Sequence, residues 1–257
     1  MAAARIIHTP EEITRIRRAA AVTAGVRDEL AALAHPGMTT FELDQLAGEL
    51  IARTGGKSAF KNYYGYPGNI CISMNEVVVH GIGSPDQLIT ENDIVSIDVG
   101  VNIDGAIGDT ALTITFRDDL PSDVKRLVSG TQEALAEGIA AARGGAFVRD
   151  ISAAVEKCAK RHHLGIVREF VGHGCGIKLH EPPEIPNYTG FGKGARLEPG
   201  MVICIEPMLN LGTEAVSIDR KDKWTVRTRD GAWSAHFEHM LLITENEPEI
   251  LTWQKTM

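Results

Sequence analysis

The pattern of apolar and polar positions divides the chain into two similar runs, each of two helices followed by strands. The stretch "TPEEITRIRRAAAVTAGVRDELAALAHPG" carries apolar residues at helical spacing. Thr9 is placed to cap this helix, with Pro10 at its first position and Glu12 completing a capping box. It should stop before Pro36-Gly37, and a second helix should run from Thr39 or Thr40 to Gly55-Gly56. From Ile70 to Thr115 the pattern changes to β-branched runs broken by turn residues. Within it, "NDIVSIDVGVNIDGAIGDTALTIT" predicts two strands joined at Asp104-Gly105. Helices return over Pro121–Arg143 and Ile151–His163. Strands follow from Val167 through "MVICIEPML", "WTVRTR" and "AHFEHMLLIT". The two runs also echo each other locally: "NDIVSID" ends on Asp98 and "PGMVICIE" ends on Glu206. A weak internal repeat of this size predicts two pseudo-symmetric α+β halves with a site between them.

Composition narrows the class. The chain has 257 residues, 44% hydrophobic and 23% charged, enough to bury a substantial core. No apolar run is long enough for a membrane span, and "MAAARIIHTPEE" lacks the apolar centre of a secretory signal, so no membrane association is expected. A net charge of −8 argues against DNA as a partner. Cys71, Cys158, Cys175 and Cys204 are scattered and form no C-x-x-C pair, which fits reduced thiols in a cytoplasmic protein.

The hairpin brings chemistry into view. With a two-residue turn at Asp104-Gly105, Ile103 faces Ala106 and Asp98 faces Ala111. Asp98 and Asp109 then lie on one face as diagonal neighbours, with Cβ atoms about 7 Å apart. Two carboxylates at that spacing can hold a metal between them, since each metal–oxygen bond is roughly 2.0–2.2 Å. Alternatively they are solvated on an open face, but the flanks "IVSIDVGV" and "GDTALTIT" are almost wholly apolar. Like charges buried side by side call for a cation. Glu206 and Glu238 also sit in apolar strand sequence, where each alone could equally be a core-edge carboxylate paired with an arginine. Four such carboxylates with His173 form a hard-oxygen, imidazole-containing set suited to Mn, Fe, Co or Zn in a two-metal site. A water between two such ions becomes a hydroxide nucleophile near neutral pH.

The segment "FVGHGCGIKLHEPPEIPNY" sets His173 and His180 too far apart for a helical zinc motif, where ligand histidines are four apart. A phosphate-binding reading of its glycines fails because no Lys-Ser/Thr pair follows. This segment, with "VVHGIG", "IDVG", "GDTA", "IEPM" and "FEHM" in the same order and spacing, resembles the type I methionine aminopeptidases over nearly the whole chain. No helical insertion of the type II enzymes fits between His180 and Glu206, and no zinc-finger extension precedes the first helix.

The resemblance implies an α+β pita-bread fold, with a curved antiparallel sheet covered by helices and residues 1–257 forming a single catalytic metallopeptidase domain. It implies two divalent ions, Co2+, Mn2+, Fe2+ or Zn2+, held by Asp98, Asp109, His173, Glu206 and Glu238, with Asp109 and Glu238 bridging. His180 would donate a hydrogen bond to the scissile carbonyl and the oxyanion that develops there. Glu206 would shuttle a proton, and His80 would contact the substrate near the scissile amide. Without the resemblance, His80 after three valines reads as an ordinary strand-end residue. Tyr63, Tyr66, Cys71 and Trp224 match positions lining a methionine pocket, a surface that suits a thioether; read alone, the aromatics could be plain core. The glycines would keep the backbone thin around the metals.

The implied activity is removal of N-terminal methionine from nascent proteins and peptides with a small second residue, by a metal-bridged hydroxide, in a cytoplasmic monomer. The rivals are a proline-specific aminopeptidase or dipeptidase of the same fold, which usually carries an additional N-terminal domain, and a non-catalytic pita-bread binding protein, which would lack ligands present here. The chain departs from the family at Phe60, Leu179 and His236. Two positions before Glu238, His236 should share its face and stay neutral, hydrogen-bonded within the site, while Phe237 and His239 point away. The segment "SIDRKDKWTVRTR" concentrates Arg220, Lys221, Lys223, Arg227 and Arg229 on an acidic chain. It is either a solvated hairpin or a loop that docks on ribosomal RNA near the nascent-chain exit, as the family does.

Overall fold

The structure, a computed structural model, describes residues 6–190 and 192–253. Its first half opens with α1 (Pro10–Leu33) and α2 (Thr40–Arg53). The capping box at Thr9 forms: Glu12 N–H donates to Thr9 Oγ1 at 3.2 Å, and Thr9 N–H donates to Glu12 Oε2 at 2.9 Å. Thr39 and Glu42 repeat the arrangement at the start of α2. Five strands follow: β1 (Lys57–Ser58), β2 (Cys71–Met74), β3 (Val77–Val79), β4 (Ile94–Ile103) and β5 (Ala106–Thr115).

The second half begins with α3 (Ser122–Ala141) and α4 (Val148–Arg161). The last helix starts one turn before the expected Ile151, because the Asp150 carboxylate accepts a hydrogen bond from Phe147 N–H at 2.8 Å and closes the first turn there. The strands are β6 (Gly165–Ile166), β7 (Gly172–Gly174), β8 (Glu181–Ile185), β9 (Val202–Ile205) and β10 (Met208–Asn210). Then come β11 (Val216–Ile218), β12 (Val226–Thr228), β13 (Ser234–His236), β14 (His239–Leu242) and β15 (Glu249–Ile250).

Every strand pairing among the described residues is antiparallel, and the strands run as four sheet segments. β4 pairs with β5 along one edge and with β1 and β2 along the other. The second large segment has the order β15-β14-β9-β7-β8. The Asp104-Gly105 turn sets the register as expected: Ile103 faces Ala106, Asp98 faces Ala111, and Gly100 faces Asp109.

Each half has its own apolar core. One joins α1 and α2 to β2 and β4 through Leu30, Leu43, Ile51, Ile72 and Ile97. The other joins α3 and α4 to β9 and β14 through Leu127, Ile151, Ile203 and Leu241. A third cluster takes Ile16, Ala106 and Ile107 from the first half and Val202, Cys204 and Met240 from the second. The halves are therefore fastened by shared apolar packing, and their strands meet at a buried seam. No helix among the described residues is long and apolar enough to cross a membrane.

Candidate metal centre and substrate pocket

The seam is where the carboxylates converge. Asp98 on β4 and Asp109 on β5 are diagonal neighbours on one face of their hairpin. Residue 100 lies on that same face. There a Cβ would come within 2.4 Å of the Phe60 ring, so glycine lets Phe60 close the floor of the site. Glu238 lies between β13 and β14, and its backbone N–H donates to the Ala111 carbonyl on β5 at 2.9 Å. Glu206 follows β9, and His173 is the middle residue of β7.

These side chains form two overlapping groups of potential ligand atoms. Asp98, Asp109 and Glu238 make one, and His173, Glu206 and Glu238 make the other; within each, the ligand atoms lie within 4.8 Å of one another. His173 Nε2 is 3.4 Å from Glu206 Oε1 and 3.8 Å from Asp109 Oδ2. His173 Nδ1 is 2.9 Å from the Gly174 carbonyl oxygen, which can only accept. The ring proton therefore sits on Nδ1, and Nε2 presents its lone pair to the carboxylates, the orientation a metal ligand needs. Asp98 Oδ1, Asp109 Oδ1 and Glu238 Oε1 are buried without a hydrogen-bond partner.

Burial dominates the electrostatics. It pushes the Asp98 carboxyl up to about 7 and Glu206 up to about 8. Asp109 and Glu238 are driven well above the carboxylate range by burial and then by their carboxylate neighbours. Burial, with His180 next, pulls the His173 imidazole down to about 3. A neutral imidazole, clustered carboxylates and orphaned oxygens fit divalent cations, which would satisfy those oxygens and reverse the penalty.

The carboxylates open into a cavity of about 370 Å3. Its walls include Tyr63, Tyr66, Cys71, His80, His180 and Trp224, so all eleven residues singled out in the sequence meet in one place. Tyr66 and Trp224 pack edge-to-face at 5.2 Å. His180 Nδ1 lies 2.9 Å from the Tyr63 hydroxyl, and its ring meets that of His173 edge-on at 4.3 Å. His80 has the left-handed φ of +58°, a costly conformation for a non-glycine residue, and packs edge-on against Phe170. Burial brings its imidazole down to about 4. A larger cleft of about 680 Å3 lies on the opposite face of β5 and β14, lined in part by Phe237, His239 and Trp253.

Several features differ from the sequence reading. Gly172 and Gly174 flank His173 on the strand face turned away from the carboxylates. Added Cβ atoms there would meet the Cys204 carbonyl at 2.3 Å and the Pro182 carbonyl at 2.6 Å, so these glycines serve strand packing instead of thinning the metal side. His236 lines the cavity while Phe237 and His239 line the opposite cleft. Burial lowers its pKa, but the expected hydrogen bond is not made: Nε2 stops 3.6 Å from Glu206 Oε2 and has no hydrogen-bond partner. Thr113 Oγ1 bonds both the N–H and the carbonyl of His236, fixing the backbone at that distance. Phe170 and Met208 were not anticipated as pocket walls. Nor was Cys204 anticipated beside the site: its buried Sγ lies within 4.8 Å of ligand atoms of Asp109 and His173. In the basic segment, Arg227 pairs with Glu76 at 2.6 Å and Arg229, though exposed, bonds the Val216 carbonyl; Arg220, Lys221 and Lys223 are exposed as well.

The comparisons with known proteins agree with this geometry. The family description "Metallopeptidase family M24" matches residues 14–245. Methionine aminopeptidase 1 of Bacillus subtilis (strain 168) is 42% identical over 247 residues, covering 96% of this chain and 98% of that protein. Methionine aminopeptidase A of Synechocystis sp. is 44% identical over 243 residues, covering 94% of each. The crystal structure of methionine aminopeptidase from Rickettsia prowazekii superposes with a TM-score of 0.93 at 37% identity, covering 97% of this chain and 100% of that one. With its halves, its seam and its converging carboxylates, the chain has the pita-bread fold and belongs to metallopeptidase family M24, within the methionine aminopeptidases.

Proposed function

We propose that this chain removes the N-terminal methionine from nascent proteins and peptides whose second residue is small, and that residues 1–257 act as one catalytic domain. The observation that carries the reading is the union of two features in one cavity: carboxylates with orphaned oxygens beside a lone-pair-bearing His173, and an aromatic, thiol-containing wall. Asp98, Asp109 and Glu238 would hold one divalent ion, and His173, Glu206 and Glu238 would hold the other, with Asp109, 3.8 Å from His173, also within reach of it. Co2+, Mn2+, Fe2+ and Zn2+ all suit this donor set. Bound there, such ions supply Lewis acidity that polarises the scissile carbonyl and acidifies water.

The chain's own groups do the rest. The methionine side chain enters the slot of Tyr63, Tyr66, Cys71 and Trp224, where a thioether finds soft, apolar contacts. Phe60 closes this slot beside Gly100, and Leu179 contributes an aliphatic wall. Glu206, which lines the cavity beside His173, accepts the proton of the attacking water and returns it to the leaving amine. His180, oriented through Nδ1 by Tyr63, donates to the oxyanion, and His80 aligns the scissile amide from the pocket rim. Four free, buried thiols are compatible with a monomer working in the cytoplasm, and the exposed Arg220, Lys221 and Lys223 form its contact with ribosomal RNA.

Methionine release from a Met-Ala-Ser peptide, measured with each divalent ion added to metal-stripped protein, tests the function. Release that depends on the ion and greatly exceeds that from Met-Trp or Xaa-Pro peptides is expected; equal rates on all three contradict it. In the same assay Glu206→Gln should lower kcat by about 10²–10⁴-fold. Turnover near the wild-type rate at saturating metal removes Glu206 from the proton transfer. Reversing the charges of Arg220, Lys221 and Lys223 to Glu should weaken co-sedimentation with ribosomes at low salt and leave peptide cleavage intact. Unchanged co-sedimentation rules out the RNA contact.

A further inference from the structure

The face of β5 turned away from the cavity carries a hydrogen-bond relay with no part in the roles above. It begins at Arg27 in α1, which is only 7% exposed, an unusual burial for an arginine. Its Nε and Nη2 reach the carboxylate of the neighbouring Asp28, at 2.8 and 2.7 Å. Its Nη1 donates to Thr110 Oγ1 at 2.7 Å. Thr110 is fully buried, and its hydroxyl lies 2.8 Å from the backbone carbonyl of Glu238.

The direction of this relay is fixed by chemistry. A guanidinium can only donate, so Thr110 accepts from Arg27 and spends its single proton on the Glu238 carbonyl. A charged donor at the head polarises the next bond and strengthens it. The Glu238 N–H meanwhile donates to the Ala111 carbonyl at 2.9 Å. Both peptide groups of Glu238 are thus tied to Thr110 and Ala111, the two residues that follow Asp109. Glu238 comes from the second half of the molecule and Asp109 from the first, so nothing in local chain geometry sets their separation. Packing alone would be served by an apolar side chain at position 27, without the cost of burying a guanidinium.

We propose that Arg27 is a positioning residue which, through Thr110, holds Glu238 at the distance from Asp109 that the paired metal site requires. The proposal rests on the ligand set given under the proposed function. Its effect is on geometry: Arg27 faces the cleft behind β5 and touches neither substrate nor ions.

Calorimetric addition of Mn2+ to the metal-stripped chain reads this without any substrate. Arg27→Met should weaken the lower-affinity Mn2+ by about 10–100-fold, the range typical of groups that orient a ligand. It should lower kcat on Met-Ala-Ser more than it raises KM. Arg27→Lys should recover part of the loss. Thr110→Val should reproduce it, and Thr110→Ser should bind as wild type. Because Arg27 acts through Thr110, adding Arg27→Met to Thr110→Val should weaken Mn2+ binding no further. Wild-type Mn2+ affinity in both Arg27→Met and Thr110→Val, with only the thermal midpoint lowered, would reduce the relay to a structural tie and overturn the proposal. So would fully additive losses in the double variant. If the wild-type chain binds two Mn2+ but releases no methionine, the proposed function fails while this test still stands.

Discussion

The site depends on β5 being hydrogen-bonded along both of its edges. On one edge it pairs with β4 over their full length, which places Asp98 and Asp109 on a common face. On the other, the chain from His236 to Glu238 is stitched to it. Thr113 Oγ1 bonds both backbone groups of His236, and its own proton goes to the carbonyl, so Ser96 at 2.8 Å must be the donor to it. Ala111 and Thr110 hold the two peptide groups of Glu238. Carboxylates from two separately cored halves meet because this seam has a fixed register, and a slip of one residue would turn each of them to the other face.

That arrangement stores an electrostatic demand. Asp98, Asp109, Glu206 and Glu238 are all pushed up by burial, with neighbouring carboxylates adding to it for Asp98, Asp109 and Glu238. Thiols line the same seam: Cys71 faces Asp98 across β2 and β4, and Cys204 Sγ lies within 4.8 Å of ligand atoms of Asp109 and His173. Burial raises both thiols well above their usual range, so they stay protonated. The orphaned oxygens are the atoms a cation would take. The same burial keeps His173 neutral, so a single cause, removal from water, prepares both kinds of ligand.

How much of this was legible in the sequence follows from how local each feature is. The pairing of Asp98 with Ala111 and of Gly100 with Asp109 could be read from a two-residue turn and a period of two. The capping box at Thr9 needed only adjacent residues. The start of α4 was misplaced because its cap rests on the Asp150 side chain rather than on a Ser or Thr. Glu206 and Glu238 were visible only as carboxylates in apolar runs, and their meeting place came from the family resemblance. Thr110 lay inside the family motif GDTA and Cys204 among the scattered thiols, but no sequence pattern pointed to the contacts of Thr110, Thr113 or Cys204. The Thr110–Glu238 bond joins residues 128 positions apart, and no pattern within either segment announces it. His236 shows the same limit: its face followed from strand alternation, but its distance from Glu206 is set by the clamp at Thr113.

The proposal at the centre of this account is that the seam would hold two adjacent cations sharing Glu238. Anomalous diffraction from crystals equilibrated with Mn2+ tests it most directly. The account predicts two anomalous peaks, one among Asp98, Asp109 and Glu238 and one among His173, Glu206 and Glu238, each within roughly 2.0–2.5 Å of its ligand atoms. Mn2+ bound elsewhere, or at neither position while the carboxylates keep their places, would contradict it.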